Sequence, residues 1–156
     1  TDIEGMGFAI PINLVKRIIE RIEADNLPQF TIMPRLGASY YEVIDFYNAG
    51  QVSVVNLNIN GVVIPSEITL TLPIGVNKGF LVYLVPQYTT LSDSGIKSGD
   101  IIVKINDYEL VDQASYYEYL YENFESGDSV TLYYYSLDHN TLEYDETLKS
   151  VTVEFK

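Results

Sequence analysis

Apolar residues near the start of the chain recur at helical spacing. In the segment 11–22, four apolar residues fall three or four positions apart, and three basic residues lie on the opposite face. Pro11 suits the first turn of a helix, where a missing N–H costs nothing. The pattern predicts an amphipathic helix over 11–22, with a short buried strand before it at 5–10. The apolar residues are Val15, Ile18, Ile19 and Ile22, and the basic residues are Lys16, Arg17 and Arg21.

From residue 32 onward the pattern favours strands. Residues 52–59 alternate between apolar and polar, Asn60-Gly61 is the strongest hairpin-turn signal in the chain, and 62–72 continues in β-favouring residues. These features predict a hairpin. Further strands are predicted at 80–85, 100–106, 130–135 and 151–155, with a polar loop over 137–146. The sum is an α+β domain, a small and mostly antiparallel sheet or partial barrel with two helices.

Residues 113–124 predict a second helix, which Ser126-Gly127-Asp128 ends. Its aromatic residues offer two candidate buried stripes. We expect Tyr116, Leu120 and Phe124 to enter the core while Tyr117 and Tyr121, four positions apart, lie on an outer face. The opposite assignment of the two faces stays open, because aromatic residues at helical spacing are more often core than ligand site.

Composition excludes several classes of function. The chain of 156 residues has 22 Asp and Glu against 9 Lys and Arg, which disfavours nucleic acid or an anionic membrane as partner. With no cysteine there is no disulfide, thiolate zinc site or cysteine nucleophile. Apolar runs fall short of the roughly 20 residues that span a bilayer. The start at Thr1 leads us to expect a piece of a longer protein, whose signal or membrane anchor lies upstream.

Two stretches resemble HtrA-type serine proteases. Residues 4–11, followed by the helix to residue 22, resemble the strand and terminal helix that close their chymotrypsin-like protease domain. The second stretch resembles their PDZ domain through six motifs in order. These are Arg35-Leu36-Gly37-Ala38, Gly79-Phe80-Leu81-Val82, Ser94-Gly95-Ile96, Lys97-Ser98-Gly99-Asp100-Ile101-Ile102, Asn106-Asp107 and Gly127-Asp128-Ser129-Val130-Thr131-Leu132.

The resemblance implies a domain organisation. Residues 1–26 would end a trypsin-like protease domain, 27–31 would be a linker, and 32–156 would be a PDZ domain. The span from Gly37 to Gly79 is longer than the family pattern, so an insertion is expected at about 45–72. Asp107 replaces the usual glycine of a turn, a position that Asp tolerates.

A PDZ domain adds an extended peptide as a strand beside a sheet edge, and its backbone amides capture the terminal carboxylate. The resemblance assigns these amides to a loop around Gly37, because glycine permits a close approach and successive amides form an anion-holding nest. Arg35 adds a positive charge there or is an ordinary solvated residue, and both stay open. The predicted peptide-binding residues are Arg35, Leu36, Gly37, Ala38, Ser39, Tyr40, Tyr117, Leu120 and Tyr121.

The expected function is therefore recruitment of C-terminal or unfolded peptide segments to a serine endopeptidase, or gating of it. The catalytic triad of the family precedes the Gly7-Phe8-Ala9-Ile10 strand, so this chain itself would carry no catalytic residue and no cofactor. The rival interpretation is a scaffold domain that builds oligomers or docks a fixed partner through the edge of the insertion.

Expected partners are peptide segments, the chain's own protease domain and further copies in the full-length protein. The family implies an extracytoplasmic, bacterial location. The acidic charge favours peptides that are apolar at the end and neutral or basic further back.

Two other patterns have simpler explanations. Asp93-Ser94-Gly95 copies the surroundings of a chymotrypsin-like nucleophile, but such a serine needs an oriented base, and the single histidine, His139, lies in a polar loop far downstream. We expect a turn at Ser94. The spacing of Asp138, His139, Asp145 and Glu146 matches neither a calcium loop nor a zinc helix, so we expect these residues to be solvated.

Overall fold

The computed structural model describes residues 34–156, together with Ile12, Val15, Lys16 and Ile19, which are helical. These four agree with the helix predicted at 11–22. The rest of that helix, the strand predicted at 5–10 and the linker at 27–31 lie outside the described residues. The proposed division into a protease-domain end and a second domain therefore stays a prediction.

Residues 34–156 contain eleven strands and two helices. The strands are β1 Ser39–Glu42, β2 Tyr47–Asn48, β3 Gln51–Val54, β4 Leu57–Ile59, β5 Val62–Ile64, β6 Ile68–Thr71, β7 Phe80–Leu84, β8 Ile101–Ile105, β9 Tyr108–Glu109, β10 Ser129–Tyr135 and β11 Lys149–Glu154. The helices are α1 Val43–Phe46 and α2 Gln113–Asn123. The strands predicted after residue 80 and the second helix are confirmed within two residues at each end.

The main sheet is antiparallel, in the order β1-β7-β8-β10-β11, with β9 paired to β8. Strand β1 lies at one edge of this order. Within the described residues its only partner is β7, in the register Tyr40↔Val82, Tyr41↔Leu81 and Glu42↔Phe80. The prediction of small antiparallel sheets with helices is thus confirmed.

Both faces of the main sheet are buried at the start of β7. Because side chains alternate along a strand, Phe80 and Val82 point to one face and Leu81 points to the other. On the first face, called the helix face, these residues pack with Tyr116 and Leu120 of α2. On the second, the arm face, Leu81 packs with residues of the insertion. Burial of β7 on both faces explains why its sequence begins with the unbroken apolar run Phe80-Leu81-Val82.

The predicted insertion is an interrupted hairpin, residues 47–72, which we call the arm. Strand β3 pairs with β6, and β4 pairs with β5 across the predicted Asn60-Gly61 turn, whose φ angles are 52° and 85°. Two breaks divide the strands that the sequence predicts as continuous. Asn56 adopts a left-handed φ of 58°, and Pro65 cannot donate to a ladder. The helix α1 just before the arm was not predicted.

The arm is fastened to the sheet at its tip. The Asn58 N–H donates to Ser98 Oγ at 2.9 Å, and the Asn60 N–H donates to His139 Nδ1 at 3.2 Å. His139 Nε2 lies 2.7 Å from the carbonyl oxygen of Ser98. A carbonyl oxygen only accepts, so Nε2 carries the proton and Nδ1 is free to accept from Asn60. These contacts hold the arm on the face opposite α2.

Candidate functional site

The outer edge of β1 has free backbone groups. The Val43 N–H donates to the Gly79 carbonyl at 2.9 Å, so residue 43 faces β7, and by alternation Tyr41 does too. The N–H and C=O groups of Tyr40 and Glu42 therefore point away from β7. No other strand within residues 34–156 pairs with this edge. Such an edge is a template for one further strand.

Helix α2 lies beside this edge. Asp112 caps it, since its carboxylate accepts the Ser115 N–H at 2.8 Å, a hydrogen bond that lowers the pKa of Asp112. The Glu42 carboxylate on β1 accepts the Gln113 N–H at 3.1 Å, which joins the end of the strand to the start of the helix. We call the space between β1 and α2 the groove.

The predicted faces of α2 are those observed. Tyr116 and Leu120 are fully buried, and Phe124 is half-buried against Phe155 with ring centroids 5.7 Å apart. Tyr117 and Tyr121 are half-buried and stack at 6.1 Å along the outer side. Leu120, which was also assigned to the peptide site, belongs to the floor beneath the groove.

The loop 35–38 is held in place by the turn that follows β7. Thr90 Oγ1 donates to the Arg35 carbonyl at 2.8 Å, and the Leu91 N–H donates to the Leu36 carbonyl at 3.2 Å. Gly37 has φ of 72°, and a Cβ atom there would lie 2.6 Å from Thr89 Cβ. Glycine is thus required at this position both by its backbone angle and by its neighbour. Arg35 is exposed beside the loop.

The three amides assigned to carboxylate capture differ in their partners. The Leu36 N–H donates to the buried Tyr116 hydroxyl at 3.5 Å, and the Ala38 N–H lies close enough to the Tyr40 hydroxyl to favour its ionised form. The Tyr40 and Tyr116 rings meet edge-on with centroids 6.3 Å apart. The Gly37 N–H, between them, has no hydrogen-bond partner within residues 34–156. The roles of the two hydroxyls escaped sequence reasoning, which treated Tyr116 as core alone.

Aromatic packing fixes the hydroxyls. Tyr40 stacks on Phe80 with centroids 5.0 Å apart and planes 21° from parallel, while Tyr116 meets Phe80 edge-on at 5.2 Å and 87°. Burial raises the pKa of Tyr40 to about 12 and holds the pKa of Tyr116 well above its ordinary value. Both side chains are therefore neutral at physiological pH and act as hydrogen-bonding groups without charge.

The other sequence candidates lie elsewhere and have local partners. Ser94 Oγ donates to the Leu91 carbonyl at 2.8 Å and accepts from the Ile96 N–H at 3.1 Å, as expected of a turn residue. Asp138 accepts the Asn140 N–H at 2.7 Å, which lowers the pKa of its carboxyl.

Two further kinds of feature are absent from the described residues. They contain no group of three or more His, Cys, Asp or Glu side chains arranged to hold a metal ion. No helix among them is long and apolar enough to cross a membrane.

Comparison with known proteins agrees with the motifs. No protein-family model matches the chain. The serine protease Do-like HtrA of Lactococcus lactis subsp. lactis (strain IL1403) is 31% identical over 135 residues, 86% of this chain. The serine protease HtrA-like of Staphylococcus epidermidis (strain RP62A) is 27% identical over 133 residues, 83% of this chain. This chain is homologous to part of the HtrA-type serine proteases.

The homology covers a piece of each relative. The chain spans 28% of the Lactococcus protease and 19% of the Staphylococcus protein. A solved structure described as "HtrA-type protease AlgW with decapeptide" superposes with a TM-score of 0.57, covering 97% of this chain and 36% of that one at 16% identity. At this identity the superposition shows the fold alone. The resemblance to HtrA-type proteases expected from the motifs is confirmed.

Proposed function

We propose that the described part of this HtrA-related chain is a PDZ-like domain that binds extended peptide by strand addition to the outer edge of β1. The observation that carries the proposal is the position of β1 in the main sheet, paired on one side to β7 and flanked on the other by α2. Main-chain hydrogen bonds would supply affinity, and the groove side chains would supply selectivity. Tyr117 and Tyr121 form the outer wall of this groove.

The role within the whole protein follows from the homology. The relatives are serine proteases, so we propose that the parent is an extracytoplasmic serine endopeptidase and that this domain recruits unfolded segments to it or gates it. The triad would lie in the preceding protease domain. One structural neighbour is described with a decapeptide, which is the class of ligand that the edge of β1 would accept. The net charge of −13 favours neutral or basic peptides.

A substitution at Glu42 tests strand addition. Its φ of −72° is already that of proline, so Glu42→Pro removes the outward N–H without forcing the backbone to change. The control Glu42→Ala keeps that N–H, and both variants lose the carboxylate that accepts from Gln113. One main-chain hydrogen bond is worth about 1 kcal/mol, so Glu42→Pro should bind peptide about fivefold more weakly than Glu42→Ala.

The measurement is fluorescence polarisation with a labelled degenerate decapeptide pool, with circular dichroism to verify folding. Equal affinities for the two variants would place the peptide somewhere other than this edge. The rival scaffold function is supported by the arm, where Val62 and Val63 on β5 are 65% and 54% exposed. Sedimentation that depends on protein concentration without peptide would favour that function.

A further inference from the structure

The site of carboxylate capture is already occupied by the chain itself. A terminal carboxylate needs several converging N–H donors, and the loop 35–38 supplies three. The Leu36 N–H points to the Tyr116 hydroxyl at 3.5 Å, and the Ala38 N–H lies near the Tyr40 hydroxyl. Of the three amides, the Gly37 N–H alone has neither hydroxyl beside it within residues 34–156. One N–H suits a neutral carbonyl better than a carboxylate, which has two oxygens to satisfy.

The two hydroxyls are not easily displaced. Tyr116 is fully buried, with Phe80 edge-on at 5.2 Å and Tyr117 at 5.0 Å. Tyr40 stacks on Phe80 at 5.0 Å and meets Tyr116 edge-on at 6.3 Å. An incoming carboxylate would separate the hydroxyls from the amides and leave the Tyr116 oxygen buried without its N–H donor, which is costly.

The remaining features of the groove favour a ligand without a terminal charge. The outward backbone groups of Tyr40 and Glu42 pair with any extended segment, whatever its position in the ligand chain. The only charged side chain of the loop 35–38 is the exposed Arg35, while the chain as a whole carries −13. Long-range attraction therefore gives an anionic chain end no advantage.

We infer that this groove selects internal extended segments over peptide C-termini, because the Tyr40 and Tyr116 hydroxyls stand where the oxygens of a terminal carboxylate would bind. The inference rests on the proposed strand addition at β1 and adds the class of ligand to it. Tyr40 and Tyr116 are the residues that determine this specificity. In an unfolded protein, internal segments far outnumber chain ends.

The experiment compares one degenerate decapeptide pool prepared as the free acid and as the C-terminal amide, each labelled with fluorescein at the N-terminus. For the wild-type chain we expect dissociation constants that agree within about twofold. The double variant Tyr40→Phe, Tyr116→Phe keeps both rings and releases the two amides. It should bind the acid pool about fivefold more tightly than the amide pool. The control Tyr47→Phe, Tyr88→Phe removes two exposed hydroxyls outside the groove and should behave as wild type.

Each outcome decides between the two proposals. A wild-type preference for the acid of fivefold or more would overturn the ligand class and leave strand addition intact. An unchanged ratio in the Tyr40→Phe, Tyr116→Phe variant would overturn the role of the hydroxyls. Absence of binding by either pool to every variant would instead overturn the proposed function. If the double variant does not fold, the wild-type comparison of acid and amide alone still tests the ligand class.

Discussion

The two faces of the main sheet are both buried around β7, yet they are covered in different ways. The arm face is covered by a hairpin whose strands pair with each other, β3 with β6 and β4 with β5, over aliphatic side chains such as Leu70 and Leu81. The helix face is covered by α2, whose backbone N–H and C=O groups pair within the helix and so cannot pair with a strand. Beside α2, the edge of β1 ends the pairing of the main sheet.

The difference indicates where ligand can be accepted. The backbone N–H and C=O groups of a helix pair within the helix itself. A strand next to a helix therefore gains no hydrogen-bonding partner from it, and its edge on that side stays unpaired. On the helix face, the Tyr40 and Tyr116 hydroxyls lie near the loop amides. On the arm face, the buried cluster that supports the same sheet is aliphatic. We therefore expect changes on the arm face to alter stability and changes on the helix face to alter recognition.

The largest effect should come from opening the aliphatic side. Leu70 on β6 is buried in the arm-face cluster, and its register partner is Val52. Leu70→Ala should lower the free energy of unfolding by about 2–4 kcal/mol, through lost burial and the cavity that remains. Urea denaturation followed by circular dichroism measures this change.

The neighbouring substitution Thr71→Ala, at an exposed position of the same strand, is the control and should change stability by less than about 0.5 kcal/mol. Peptide affinity at temperatures where Leu70→Ala is folded should equal that of the wild type. A loss of affinity larger than that of Glu42→Pro would show that the two faces do not act separately.

A smaller effect is expected at the fastening of the arm. His139 accepts the Asn60 N–H and donates to the Ser98 carbonyl, and both hydrogen bonds are lost in His139→Ala. Partly exposed hydrogen bonds are worth little in net terms, so we expect about 1 kcal/mol of destabilisation. Hydrogen exchange of the Asn60 amide should accelerate more than exchange in β8. Glu146→Ala, an exposed change in the same loop, is the control, and equal exchange rates in the two variants would refute the fastening.

Sequence reasoning succeeded where local physics decides the conformation. The Asn60-Gly61 turn, the alternation around it and the helix at 113–123 each follow from rules that act over a few residues. Gly37 was also identified, although the reason differs in part. Its φ was foreseeable, whereas the contact with Thr89 was not.

Contacts between distant segments were beyond such rules. Leu36 and Tyr116 are 80 positions apart, and nothing in the spacing of tyrosines shows which hydroxyl will meet a loop amide. The face on which the arm lies was equally hidden, because the unbroken run Phe80-Leu81-Val82 fits burial on both sides of the sheet. The break at Pro65 was foreseeable, since proline rarely continues a paired strand.

The smallest effect concerns ionisation on the helix face. The pKa of Tyr40 is about 12 in the folded chain, above the value of about 10 for an unfolded chain. The unfolded chain therefore loses this proton first as the pH rises, so the stability from a neutral Tyr40 is full below pH 10 and declines between pH 10 and 12. The loss amounts to about 0.4 kcal/mol at pH 10 and grows above it. Tyr40→Phe should have a shallower decline of the urea midpoint from pH 8 to pH 10 than the wild type. The control Tyr88→Phe changes a side chain that is 89% exposed and should reproduce the wild-type profile. Parallel profiles for Tyr40→Phe and wild type would mean that Tyr40 ionises as readily in the folded chain as in the unfolded one, and hence that its hydroxyl is not buried on the helix face.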